Sequence, residues 1–272
     1  MLDGTPNGIF VDQKSGLVFS PSHFTWMDTD YPAGTPRQGY PIEIQALWYA
    51  ALRLLARVDS PENRQNWQQL AVKVQTSILN LFRQNELAYL SDCLHASAGE
   101  SAARAIPDDA LRPNQLLAIT LGAVKDEHTC RRILSACETL LVPGAIRSLA
   151  DRPVNHPIEI VHQGNVINDP QHPYQGKYAG DEDTRRKPAY HNGTAWTWQF
   201  PSFCEAWTLT YGENSRETAL AWLSSGVSLL SRSCLGHIPE ILDGDFPHIP
   251  RGCDAQAWGA SELLRVWLKL DK

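Results

Sequence analysis

The stretch that most limits how this chain can fold is residues 41–58, PIEIQALWYAALRLLARV. Ile44, Leu47, Trp48, Ala51, Leu52 and Leu55 form a continuing stripe, and apolar residues cover nearly every side. A helix apolar around most of its girth is buried on several faces, so other elements must surround it. Ser60 and Pro61 then open a second helix that runs to about Arg83. Trp67, Leu70, Ala71, Val74, Ile78 and Leu81 keep the i, i+3, i+4, i+7 spacing of one buried face, and the other face is polar. An inner helix followed by an outer one predicts a two-layer helical array.

The rest of the chain continues that alternation. Residues 1–40 are irregular, with five glycines, four prolines and short β-prone pieces. Residues 86–93 read as a short strand or extended edge, and 96–108 as a loop. Helices are expected over residues 111–121, 127–141, 194–211, 214–233 and 254–270. Between them, residues 150–190 form a long segment rich in proline and glycine. A structureless loop of that length in a compact domain is usually functional. Its Tyr174, Tyr178, Asp181, Asp183, Arg185 and Arg186 predict an ordered lid or pocket wall. Seven helices arranged in inner and outer pairs predict an all-α fold, the α/α toroid, with short β pieces in its loops. The βαβ alternation of a parallel sheet is absent.

Composition narrows the chemistry. The net charge is −6 and no basic run occurs, which excludes nucleic acid and anionic membrane as partners. No stretch reaches the roughly 18 apolar residues of a membrane span. The N-terminal residues lack a secretory pattern, so a cytoplasmic location is expected. Six scattered cysteines with no CxxC read as free thiols in a reducing compartment. Nine tryptophans fit either a core or a pocket that stacks on sugar rings.

Two carboxylates stand in turn-rich, aromatic-laced segments. Asp28 ends TWMD, residues 25–28, and Glu240 lies in IPEILDGD, residues 238–245. Six predicted helices separate them, so a toroid would set them across one pocket. Glycoside hydrolysis needs a proton for the leaving oxygen and, for inversion, a carboxylate that activates water. Trp26 supplies an aromatic face beside Asp28, and Pro239 stiffens the turn presenting Glu240. Taken alone, either carboxylate also reads as a turn former or surface residue. Arg112 and Asn114 enter a helix from a loop. Arg112 either clamps hydroxyls or pairs with Asp108 or Asp109. His191, Asn192, Trp196 and Trp198 cluster within eight residues. His191 lacks metal-ligand spacing and reads as a hydroxyl binder or a structural histidine. Trp196 is a sugar platform or a core residue. Gln256 and Trp258 open the last helix with the same ambiguity. No metal and no cofactor are expected.

Seven strings complete the picture: TWMD, TPRQGYPIEIQALWYAAL, LRPNQ, VPGAIRSL, YHNGTAWTW, IPEILDGD and RGCDAQAWGASELLR. In that order they resemble the C-terminal α-1,6-glucosidase domain of glycogen debranching enzymes, the amylo-α-1,6-glucosidases, over about residues 16 to 265. The resemblance implies an (α/α)₆ barrel similar to that of glucoamylases. It implies that Asp28 is the general acid and Glu240 the general base of an inverting hydrolase. Trp26, Arg112, Asn114, His191, Asn192, Trp196, Trp198 and Gln256 are the candidate substrate-binding residues, read from their side chains and their places in the loops. Asn192 stands where relatives carry Gln, and Thr197 where they carry Pro, which puts substrate preference in doubt.

About seven of twelve barrel helices are expected here. Residues 1–272 thus read as one N-terminally incomplete domain, with the acid in its irregular first 40 residues. The implied partner is an α-glucan such as glycogen or a limit dextrin. Self-association, or an N-terminal partner chain completing the toroid, is a second expectation. The alternatives are a truncated or inactive half-toroid that binds glucan or a partner, and a glucosidase of the glucoamylase or trehalase type.

Overall fold

The computed structural model describes residues 4–32, 34–84 and 86–272. The first three residues of the N-terminal stretch considered above lie outside these.

Helices form where the apolar spacing predicts them, with shorter ends. Helix α1 runs Ile42–Val58 and α2 runs Pro61–Leu81. Proline suits the first turn of α2, whose N–H would have no partner anyway. Ser60 holds the N-cap position but makes no side-chain capping bond. Helix α3, Leu116–Thr120, follows a 3₁₀ turn at Pro113–Gln115. Helix α4, Glu127–Glu138, is capped by Asp126, whose carboxylate accepts the Thr129 N–H at 2.9 Å. The remaining helices are α5, Lys187–Tyr190; α6, Phe200–Tyr211; α7, Arg216–Val227; and α8, Ala257–Leu270.

Helix α1 lies against α2 and α3, while α6 touches α3, α4, α7 and α8. Trp48, Tyr49 and Leu52 of α1 enter one continuous core with Val74 and Ile78 of α2 and Phe203 of α6. Each fully buried side chain of this size contributes about 2 kcal/mol. Burial of α1 is more one-sided than its composition predicts. Leu47 and Leu54 are exposed, whereas Glu43 and Gln45 are buried. Those two polar residues occupy the inward face because each has buried partners there.

The expectation of an all-α chain forming about seven helices of an (α/α)₆ toroid does not hold as stated. Four small antiparallel sheets lie among the described residues. Strands β1, Phe10–Val11, and β2, Val18–Phe19, form a hairpin. Strands β3, Gly39–Pro41; β4, Cys93–His95; and β5, Ile106–Pro107, form a second sheet. Strands β6, Leu141–Val142, and β7, Ala145–Arg147, belong to a larger sheet. Strands β8, Val161–His162, and β9, Asn165–Val166, make a separate hairpin. The large sheet also takes β10, Ala195–Trp196; β11, Ile241–Leu242; and β12, Pro250–Arg251. Its order is β12-β11-β10-β7-β6.

Strands β1 and β2 fall in the β-prone pieces of residues 1–40, but the two- and three-residue strands of the large sheet show no measurable alternation, so the hydropathy pattern gave no sign of them. Residues 194–199, expected to open a helix, instead form β10 and a turn. The consequence is functional: the VPGAIRSL, YHNGTAWTW and IPEILDGD strings share one sheet. Trp196 pairs with Ile241 on one side and Ile146 on the other. Seven α-helices separate Asp28 from Glu240 among the described residues, against six expected; the four-residue α5 is the addition.

Candidate functional site

Glu240 is the residue immediately before β11. Its backbone is held on both sides. The N–H of Glu240 donates to Cys253 O at 2.8 Å. The Thr197 hydroxyl donates to Pro239 O at 2.8 Å and to Glu240 O at 3.1 Å, and the Thr197 N–H reaches Glu240 O at 3.3 Å. Proline at 197 would supply neither donor. The side chain is buried and accepts three hydrogen bonds. Oε1 takes the Tyr190 hydroxyl at 2.5 Å and Gln256 Nε2 at 2.8 Å; Oε2 takes the Cys253 N–H at 2.9 Å. Three donors, with no cation paired to it among the described residues, make a fixed acceptor.

Tyr190 ends α5 and is half buried. Burial pushes its phenol far up, and the hydrogen bond to Glu240 adds to this. Tyr178 and Asp28 contribute in the same direction, so Asp28 lies within electrostatic range of the hydroxyl.

The segment carrying Asp28 is held by its neighbours while the Asp28 side chain is exposed. Trp26 Nε1 donates to Asn114 Oδ1 at 2.8 Å. Met27 is fully buried, with its sulfur 3.4 Å from Asn114 Nδ2. Thr29 Oγ1 lies 3.1 Å from His191 Nε2. Trp26, Met27 and Thr29 are thus tied to the LRPNQ or YHNG string. Trp26 stands edge-on to His191, Trp196 and Trp198, with ring centroids 5.3, 5.0 and 5.2 Å away. Trp198 stacks on Trp258 at 4.8 Å.

The other residues expected from the sequence fall into this framework. Arg112 is buried, and its guanidinium donates to Ser148 O at 2.9 Å, His191 O at 2.5 Å and Asn192 Oδ1 at 2.8 Å. Its ionic neighbour is Asp92, at 3.6 Å, rather than Asp108 or Asp109. Burial lowers Arg112 to about 10. Asn114 is enclosed, and its Nδ2 donates to Asp92 at 2.7 Å. His191 is buried and stacked on Trp196 at 5.3 Å. Burial, reinforced by Arg112, holds its imidazole neutral, well below the usual histidine range. Asn192 Nδ2 donates to Pro188 O at 3.0 Å. Trp196 is buried with its indole N–H on Tyr190 O, whereas Trp198 and Trp258 are partly exposed. Gln256 touches Glu240 directly.

Beneath the site, Arg37 joins Glu43 through two hydrogen bonds of 2.5 and 2.7 Å and Asp92 through one of 2.7 Å. Burial opposes the charge on Arg37, but the Asp92 and Glu43 carboxylates outweigh it and raise the guanidinium well above its ordinary value. The 170s segment is hydrogen-bonded to two of the site strings. Its Gln175 N–H donates to Asn192 O at 2.7 Å, the Tyr178 N–H donates to Asp243 Oδ1 at 2.8 Å, and the Tyr174 hydroxyl donates to Asp245 at 2.9 Å.

Sequence reasoning passed over Tyr190, Asp92 and Arg37. Tyr190 and Arg37 lie inside quoted strings, but nothing in a string says which carboxylate a phenol or guanidinium will meet. A cleft of about 420 Å³ lies at Trp26, Leu47 and Trp198; neither Asp28 nor Glu240 lines it. Among the described residues no cluster of three His, Cys, Asp or Glu could hold a metal, and no helix is long and apolar enough to cross a membrane.

A solved structure of a metal-independent alpha-mannosidase from Streptococcus pneumoniae, in a non-productive complex with alpha-1,6-mannobiose, aligns at 17% identity and a TM-score of 0.48. The alignment covers 94% of this chain and 51% of that one, so this chain spans about half its length. No curated protein matches. The sequence matches the amylo-alpha-1,6-glucosidase family over residues 1–160 and 164–265. With nearly all of its length inside that match, the chain belongs to the amylo-alpha-1,6-glucosidase family of glycoside hydrolases.

Proposed function

We propose that this chain is a glucosidase domain that cleaves α-1,6-linked glucose from branch stubs of glycogen-like glucans, with inversion at the anomeric carbon. Asp28 is the general acid and Glu240 the general base. Water attacks C1 as Glu240 takes its proton. The C1–O bond breaks, its electron pair goes to the glycosidic oxygen, and Asp28 protonates that oxygen. The products are β-glucose and a debranched chain.

The observation that carries this reading is the Glu240 carboxylate, fixed by three donors beside a tyrosine that also senses Asp28. A base that must orient one water gains from such preorganisation. Exposure of Asp28 suits an acid that meets its leaving group only when glucan is bound. The aromatic faces of Trp26, Trp198 and Trp258 offer stacking surfaces for pyranose rings. The irregular first 40 residues carry the acid, and membership in the family supports a carbohydrate substrate.

The test is glucose release from a branched limit dextrin by the full chain, with maltose and trehalose as competitors for the bond assignment. Asp28→Asn and Glu240→Gln are each expected to lower kcat at least ~1,000-fold. The first glucose anomer seen by NMR is expected to be β. Undiminished turnover in both variants, or an α-anomer, would sink the assignment.

A further inference from the structure

We infer that Tyr190 and Gln256 together saturate Oε1 of Glu240 and so assign proton uptake from water to Oε2. Tyr190 is thus a positioning residue for the base. The inference rests on the reading of Glu240 as that base and adds the oxygen that acts and the groups that select it.

A carboxylate oxygen offers two lone-pair positions in the carboxyl plane. On Oε1 both are taken, by the Tyr190 hydroxyl at 2.5 Å and by Gln256 Nε2 at 2.8 Å. On Oε2 one is taken, by the Cys253 N–H at 2.9 Å. The second position on Oε2 has no donor among the described residues. Beside Oε2 stands Gly252, where a Cβ would overlap the oxygen, so the chain keeps that flank clear.

Both donors on Oε1 are fixed in sense. The indole N–H of Trp258 can only donate, and it bonds Gln256 Oε1, so the amide must turn its NH₂ toward Glu240. Tyr190 cannot swing away. Its own carbonyl accepts the Trp196 indole N–H at 2.9 Å and the Thr194 hydroxyl at 2.5 Å. Its ring packs against Tyr178, His191 and Trp196. The charged and titratable groups around this pair are Asp28 and Tyr178 on Tyr190, and Arg186, Glu182 and Lys187 around Tyr178. His191 is neutral there. The buried phenol stays protonated and remains a donor.

The chemical consequence is directional. If Oε1 were free, either oxygen could take the proton. Saturating Oε1 leaves one productive acceptor.

The test uses the full chain with Tyr190→Phe and Gln256→Met. Carbon-13 labelling of glutamate side-chain carboxyls, with Glu240→Gln to assign the resonance, reads the base directly. In each variant the Glu240 carboxyl chemical shift is expected to move, because one hydrogen bond to Oε1 is lost. For Tyr190→Phe, kcat is expected to fall roughly 10- to 100-fold with KM changed less than about threefold. An unmoved Glu240 resonance and an unchanged kcat in these variants, beside an inactive Glu240→Gln, would overturn the inference and leave the base assignment standing. Turnover retained in Glu240→Gln would overturn the base assignment itself.

Discussion

Trp26 donates its indole N–H to Asn114 Oδ1 at 2.8 Å, across 88 positions of sequence. The same oxygen accepts Gln199 Nε2 at 2.8 Å, and the Asn114 amide nitrogen donates to Asp92 at 2.7 Å. One buried side chain thus connects the segment bearing Asp28, the turn before α6 and the ion network around Arg37. Asn114→Ala strands three polar groups at once, two of them buried. Leaving a buried donor or acceptor unsatisfied costs about 1–3 kcal/mol, so the variant is expected to lose about 2–4 kcal/mol of stability. Denaturant unfolding measures this; a loss under about 1 kcal/mol would show that the network relaxes around the gap.

A second prediction concerns acid. Glu205 of α6 is buried, and burial opposes its charge. Hydrogen bonds from Arg265 and Lys269 of α8, both 2.6 Å, outweigh that and hold its carboxyl below the usual glutamate range. A depressed folded pKa gives stability that is present above the unfolded value of about 4.3 and is lost as pH falls through the folded one. Both cations are about half exposed, so solvent screens the pair. Glu205→Gln is therefore expected to cost only about 1 kcal/mol at pH 7. The gap between the two proteins' melting temperatures should close as pH falls from the unfolded value through the lower, folded one. A gap that widens in acid would refute the assignment.

What the sequence revealed and what it hid divides along a physical line. The helices with a sustained period were legible, as α1 and α2 show, because the 3.6-residue spacing extends over four or more turns. The strands around the site were not. Ala195–Trp196 and Ile241–Leu242 are two residues each, and their pairing joins Ala195 to Leu242 and Trp196 to Ile241, chain segments far apart in sequence. The all-α expectation failed for that reason. The strings containing Asp28, Asn114, His191 and Glu240 were legible as a family pattern, whereas the work each residue does was not. Arg112 and Asn114 carry groups that suit sugar hydroxyls, yet their hydrogen bonds run to protein. Tyr190, which no spacing singles out, makes the shortest contact to Glu240.

Gly252 gives the third prediction. Its φ is +68°, in the left-handed region, and an added Cβ would overlap Glu240 Oε2 and crowd Ile241. Gly252→Ala therefore has two effects that can be separated. Backbone strain for a non-glycine residue at positive φ costs about 1–2 kcal/mol. Displacement of the carboxylate is additional and local. Gly164, in the β8–β9 hairpin, is a matched control, with φ +80° and no neighbouring atom within 4 Å of an added Cβ. Gly164→Ala carries the strain without touching Glu240. Both variants are expected to melt a few degrees lower. Only Gly252→Ala is expected to lower kcat, by about tenfold or more, because a misplacement of about 1 Å at a positioned group costs on the order of 100-fold. Equal kcat in the two variants would mean that the carboxylate finds another productive position, and that Gly252 serves the turn rather than the base.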